Sequence, residues 1–183
     1  MLNIFELQKF VLGHMKQQKW FDRKFDFVND VSRYPLLLER LEGTPARINQ
    51  KLQNCSKEIL ISKQDGKWSI QEHVGHLVDL EPLWMGRLAD ILHGESHLRP
   101  TDLENRATDQ AGHNDAEMED ILASFNLVRQ DMMIKLRQLP EEDLLKTALH
   151  PRLEIPMTIM NLFFFVAEHD DHHLAAIHGL LQQ

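Results

Sequence analysis

Apolar residues recur along most of this chain at spacings of three and four, the period of helices buried on one face. The clearest run is Val74, Leu77, Leu80, Trp84, Leu88 and Leu92. It opens on Ser69-Ile-Gln-Glu72, a capping box in which the hydroxyl caps a backbone N–H and the carboxylate reaches back. Gly94 marks its end. Pro82 falls inside the pattern, removes one ladder bond and predicts a kink. A later run, Met118, Ile121, Leu122, Phe125, Val128, Met132 and Leu136, takes its cap from Asn114 or Asp115 and stops before Pro140. The last run starts near Pro156 to Thr158 and extends almost to Gln183, with Leu162, Phe165, Val166, His169, His173, Ala176, Ile177 and Leu180 on its stripe. An earlier helix begins near Ser32 and carries Leu36, Leu37 and Leu41. There Gly43 reads as a stop and Thr44-Pro45 as a fresh start, with Thr as cap and Pro at the first helical position. This helix is therefore expected to be kinked or broken near Gly43 before continuing to about Asn54.

Residues 95–114 and 140–157 are polar and lack periodicity, so they read as long connections. No strand signal is present. Four long helices predict an all-α four-helix bundle, and the long links mean that it need not be simply up-and-down. The first thirty residues read as an N-terminal extension. Leu2, Phe5, Phe10, Val11 and Leu12 predict a short helix in it, docked on the bundle or on a second subunit. Phe21, Phe25 and Phe27 alternate with charge and fit no element. The expected division is residues 1–30 as extension and 31–183 as the bundle domain.

Composition narrows the function. The 183 residues suit one compact domain, with 43% apolar and 26% charged residues. A net charge of -8 with no long basic run excludes a general nucleic-acid surface, which needs clustered Lys and Arg. The single cysteine, Cys55, excludes an intramolecular disulfide and a zinc site built mainly of thiolates. The opening ten residues are amphipathic but interrupted by Glu6, Gln8 and Lys9, unlike a signal peptide. No window approaches about 18 consecutive apolar residues, so no membrane span is expected, and the cytoplasm is the default location.

Eleven histidines are the compositional oddity. His169 and His173 are four apart, so their side chains lie one turn apart on the apolar face of the last helix. Two imidazoles buried there without partners are costly, and a metal ion satisfies both. A third ligand must come from a facing helix. His73 and His76, three apart on the second helix, both border its stripe, and spacing alone does not choose between them. His172 falls off the stripe, toward solvent or behind the ligands. His14, His93, His97, His113 and His150 fall in loops or at helix ends and read as solvated. The segment His169-Asp170-x-x-His173 also resembles the zinc-protease pattern H-E-x-x-H, but with an Asp one methylene too short for the usual base.

Two segments carry a family resemblance. Trp68-Ser-Ile-Gln-Glu72-His-Val-Gly-His76-Leu77 resembles the W-S-x-x-E-x-x-x-H-L signature of the DinB-like superfamily. Glu168-His-Asp-Asp-His-His173-Leu-Ala-Ala-Ile177 resembles that superfamily's last-helix H-x-x-H-H element. The resemblance covers about residues 30–183. It implies a four-helix bundle with a long crossover and one divalent ion held by His76, His169 and His173. Nickel or zinc is foremost, with iron, manganese and copper as alternatives. It also implies a homodimer. Characterised members include enzymes that use low-molecular-weight thiols.

The resulting expectation is a metal-dependent enzyme acting on a small molecule, of the thiol-dependent S-transferase or hydrolase type. The alternative is a non-catalytic, stress-related binding protein with a structural metal. Asp79, Glu72, Glu168, Asp170 and Asp171 are candidates to orient the imidazoles. Arg87, about three turns from His76, could meet an anionic substrate, although a solvated surface arginine is the default reading.

Overall fold

A computed structural model describes residues 17–64 and 66–182. The expected helix over Leu2 to Leu12 lies outside the described residues. The α-helices are α1 (Tyr34–Leu52), α2 (Lys57–Ile61), α3 (Ile70–Leu92), α4 (Arg106–Gln110), α5 (Met118–Arg137) and α6 (Ile159–Leu180). Four of them, α1, α3, α5 and α6, are long and make the bundle.

Helix starts follow local chemistry, with one correction. Ser69 and Glu72 form the expected capping box at the head of α3, and Thr158 caps α6 through the Asn161 N–H. Helix α5, however, begins at Met118 with no side-chain cap. Asn114 is engaged elsewhere: its Oδ1 accepts a 2.7 Å bond from the Ser69 hydroxyl and so ties the approach to α5 onto the head of α3.

The expected break near Gly43 does not occur, because α1 runs unbroken through Pro45. Proline cannot donate to the carbonyl four residues back, which is that of Leu41. That carbonyl accepts a 2.8 Å bond from Nη1 of buried Arg129 on α5. The Thr44 hydroxyl, the expected cap, bonds the Arg40 carbonyl one turn back and Oδ2 of Asp170 on α6. A tertiary donor thus replaces the missing rung, and the helix survives its proline. Helix α3 likewise continues through Pro82.

The packing pairs are α3 with α5, α3 with α6, α1 with α6, and α1 with α5. Successive long helices α1 and α3 therefore stand diagonally across the bundle, as do α5 and α6. Connections 53–69 and 138–158 cross it. A short antiparallel hairpin, β1 (Thr147–Leu149) with β2 (Pro156–Thr158), occupies the second crossing where the sequence showed no strand signal. Leu98 N–H donates to the Leu149 carbonyl, and Leu149 N–H to that of Ser96, so the 93–117 connection is pinned to it.

The core has two apolar clusters. One holds Leu41, Trp84, Leu88, Met132, Leu136, Phe163 and Val166; the other holds Ile48, Val74, Leu77, Phe125, Leu174 and Ile177. A buried ion triad also lies within the bundle. Arg129 donates to Oε1 of Glu81 and to both oxygens of Asp170. Ahead of α1, Phe25 and Phe27 stack at 5.8 Å and lie against Phe165 and Phe164 of α6. The alternation that fitted no element is thus an aromatic strap laid on the last helix.

Candidate metal centre

Helix α6 places His169 and His173 one turn apart on its inner face, and α3 runs beside it with His76 opposite. The antiparallel run of the pair shows in its contacts: Trp84 meets Phe165, while His76 meets His169 and His173. The three imidazoles are 3%, 5% and 5% exposed for His76, His169 and His173. One ligand nitrogen from each lies within 4.8 Å of the others. Nε2 of His169 and Nε2 of His173 are 3.2 Å apart. Two nitrogens bound at about 2.0–2.1 Å to one tetrahedral ion stand about 3.3 Å apart. Nδ1 of His169 is buried and has no partner among the described residues.

Electrostatics favours the same assignment. Burial lowers the pKa of His76 to about 4 and that of His169 and His173 well below the ordinary value. Metal ligands must be unprotonated, and these rings are neutral at neutral pH. A relay fixes the tautomer of His76. The Thr108 hydroxyl on α4 donates to Oδ2 of Asp79 at 2.7 Å, so it must accept the 2.9 Å bond from Nδ1 of His76. The proton is then on Nδ1, and Nε2 keeps its lone pair. His113 donates from Nε2 to the same Asp79 oxygen at 2.9 Å. Gly75 makes this possible, since a Cβ there would lie 2.3 Å from the His113 ring. His73 does not join the cluster; its Nδ1 sits 2.8 Å from Nδ1 of His173.

The other candidate carboxylates are committed elsewhere. Glu72 closes the capping box and pairs with Lys63. Glu168 pairs with Arg23 and Arg40, and Asp171 with Arg40 and Arg47. Asp170 binds Arg129 and Thr44, so it is turned away from the imidazoles and the zinc-protease pattern has no base. Of these carboxylates only Asp79 reaches one of the three clustered histidines, and it does so through Thr108.

The imidazoles form one wall of a cavity of about 570 Å³. Trp68, Trp84, Trp20 and Phe165 give it aromatic sides. The Trp68 ring lies 4.7 Å from His76, and Trp20 packs edge-on against His169 at 4.9 Å. His172 is half-buried at the rim, held by the Gln17 amide. Three expectations are corrected here, the first being His113, which read as solvated but is part-buried against Asp79. Arg87 and His150 read as solvated, yet they are 1% and 2% exposed and line the cavity. Arg87 is buried because α3 turns that face to the 93–117 connection, where its Nε donates to the Arg99 carbonyl. His150 is enclosed by the hairpin turn, whose Arg152 and Leu153 N–H groups point at its ring. Thr108, Trp20 and His150 carried no sequence signal, because each reaches the site from a connection whose path no periodicity reveals.

Comparison with known proteins agrees with this architecture. The sequence model of the DinB superfamily matches residues 40–177. No curated protein sequence matches significantly. Among solved structures the chain resembles YfiT from Bacillus subtilis, described as "a probable metal-dependent hydrolase with an unusual four-helix bundle topology". The TM-score is 0.76 at 23% identity, over 86% of this chain and 91% of that one.

Proposed function

This chain belongs to the DinB superfamily, and on that footing we propose that it holds one divalent metal ion through His76, His169 and His173 and acts as a metal-dependent hydrolase on a small molecule. The carrying observation is the convergence of three buried, neutral imidazoles on one wall of a roomy cavity. Among the described residues no fourth His, Cys, Asp or Glu joins the cluster. Three protein ligands with an open position are the mark of a catalytic rather than a structural site. The fold neighbour described as a probable metal-dependent hydrolase supports the same reaction class.

When bound, the ion would supply Lewis acidity, polarising a substrate oxygen and making a water or thiol more acidic. The chain's own residues do the rest. Asp79, through Thr108, holds the His76 ring with Nε2 turned free. His73 holds Nδ1 of His173. Trp20, Trp68, Trp84 and Phe165 flank the histidines and keep bulk water from the reacting groups. Residues 1–30 are an extension whose described part, through Trp20 and Phe21, contributes to the cavity wall.

Zinc and nickel are the first candidates for the ion, since three nitrogen ligands suit both. A low-molecular-weight thiol in the open position would give S-transfer instead of hydrolysis. Assays of ester and phosphoester hydrolysis with and without added thiol separate the two. The family resemblance makes a homodimer the expected form, which sedimentation tests.

The deciding measurement is elemental analysis of the untagged chain beside His173→Ala. About one ion per chain is expected in the former and little in the latter, because one of three ligands is gone. Equal metal content in the two proteins, or none in either after incubation with zinc and with nickel, would overturn the assignment.

A further inference from the structure

The end of the cavity formed by Arg87, His150 and Arg152 is a cluster of donors without an acceptor. Arg87 is 1% exposed, and its Nη2 has no hydrogen-bond partner among the described residues. Its charge also lacks a carboxylate within ion-pair distance there; nearby Asp90 is bonded to Arg99. Nη2 of Arg152 is likewise buried and unpartnered. Buried charges are ordinarily paired, so two idle guanidinium ends on one cavity wall call for a partner.

His150 makes the case sharper. Its Nδ1 faces the backbone N–H groups of Arg152 and Leu153, each at 3.2 Å. Those groups can only donate, so Nδ1 must accept and carries no proton. The neutral ring then carries its proton on Nε2. That nitrogen lies 3.2 Å from Nη1 of Arg87, another obligate donor. Two N–H groups facing each other repel unless an acceptor receives from both. Protonating the ring would not relieve the contact, and burial together with Arg87 and Arg152 lowers the His150 pKa to about 4. Asp102 is the one carboxylate among the described lining residues, and its oxygens accept from the Glu104 and Arg106 N–H groups.

We infer that Arg87, His150 and Arg152 form an oxyanion-binding subsite, which takes the carboxylate or phosphate end of an organic substrate whose apolar body lies against Trp84 and Phe165. The Trp84 ring connects the two ends of the cavity: it is 5.7 Å from His169 and 5.5 Å from Cζ of Arg87. The Phe165 ring is 5.6 Å from His150. A molecule anchored by its anion at Arg87 therefore extends along aromatic walls toward the three histidines. The substrate class named here builds on the hydrolase reading, but the anion subsite itself needs no metal.

Calorimetric titration of the full chain with benzoate and with phenyl phosphate at low salt tests the subsite. Wild type, Arg87→Gln, Arg152→Gln and His173→Ala are compared, with a thermal melt of each to verify folding. At least one of the two probes is expected to bind wild type and His173→Ala alike and to weaken about thirtyfold or more in Arg87→Gln, as when a buried charge pair loses one member. Arg152→Gln is expected to weaken binding too, and it decides the matter if Arg87→Gln fails to fold. Tighter binding of benzoate assigns the anion as a carboxylate; tighter binding of phenyl phosphate assigns a phosphate. No binding of either probe to wild type, or equal binding by wild type and a folded arginine variant, overturns the subsite. Loss of binding in a folded His173→Ala also overturns it, since the anion would then sit at the histidines. Binding by a wild type that takes up no metal leaves the subsite standing and removes the hydrolase reading.

Discussion

His76, His169 and His173 differ in how each is held, and the difference can be measured. His76 alone is oriented through a hydroxyl relay, from Nδ1 to Thr108 to Asp79. Thr108→Val keeps the shape and removes the hydroxyl, leaving Nδ1 of His76 without its acceptor. Zinc affinity should fall about 10- to 100-fold, the usual effect of losing a group behind a metal ligand. Chelator competition measures this, and unchanged affinity would show that the relay does not matter. Gly75→Ala attacks the same relay from outside, by pushing the His113 ring off Asp79. The acid behaviour of the metal-free chain follows from six buried or part-buried imidazoles, His73, His76, His150, His169, His172 and His173, all held below 6.5 chiefly by burial. The unfolded chain then binds more protons than the folded one below pH 6.5, so stability falls as pH drops from 6.5 toward 4. Glu81, raised to about 7 by burial, acts in the opposite sense, but it is one group against six. Melts between pH 7 and 4 should show a falling Tm; a flat profile would mean that these rings are solvated. The i, i+4 pair was legible in the sequence because one helix fixes both rings. The donor-to-donor contact of Arg87 with His150 was not, because it depends on how a hairpin turn folds back on a helix.

At the scale of elements, Pro45 inside α1 shows what local rules cannot see. Gly43-Thr44-Pro45 has the local grammar of a break, yet α1 is continuous because Arg129 serves the Leu41 carbonyl that Pro45 leaves free. The capping box of α3 was legible because all its partners lie within four residues. The uncapped start of α5 was not, since Asn114 spends its side chain on a residue 45 positions back. Arg129 joins α5 to α1, α3 and α6 at once, through Leu41, Glu81 and Asp170. Arg129→Met fills the volume but strands two buried carboxylates and a carbonyl. It should cost about 3–5 kcal/mol by urea unfolding, the range for breaking a buried ion pair from one side. A loss below about 1 kcal/mol would mean that water reaches the triad. Pro45→Ala in wild type should gain far less than the roughly 3 kcal/mol a helix-interior proline ordinarily costs, because the stranded carbonyl is already satisfied.

For the whole molecule, one apolar cluster takes the α6 residues before His169 and the other those after His173, and neither depends on an ion for its contacts. Stripping the ion with a chelator should therefore leave far-UV circular dichroism unchanged. Tm should fall only by the linkage amount, about 3 kcal/mol in stability at a hundredfold excess of metal over Kd. Collapse of the helical signal would instead assign the metal a structural role. The number of long helices and the faces they bury could be read from periodicity; the diagonal placement of successive helices could not, since it resides in the connections. That placement also bears on kinetics. His76 and His169 stand more than ninety positions apart, and the helices carrying them meet only after a crossing segment has traversed the bundle. With the proposed ligand set, a half-formed chain would offer an ion at most the His169–His173 pair, so the third bond would come late on the folding route. Zinc should then slow unfolding in stopped-flow traces while leaving the refolding rate nearly unchanged, acting as a latch on the finished molecule rather than as its nucleus.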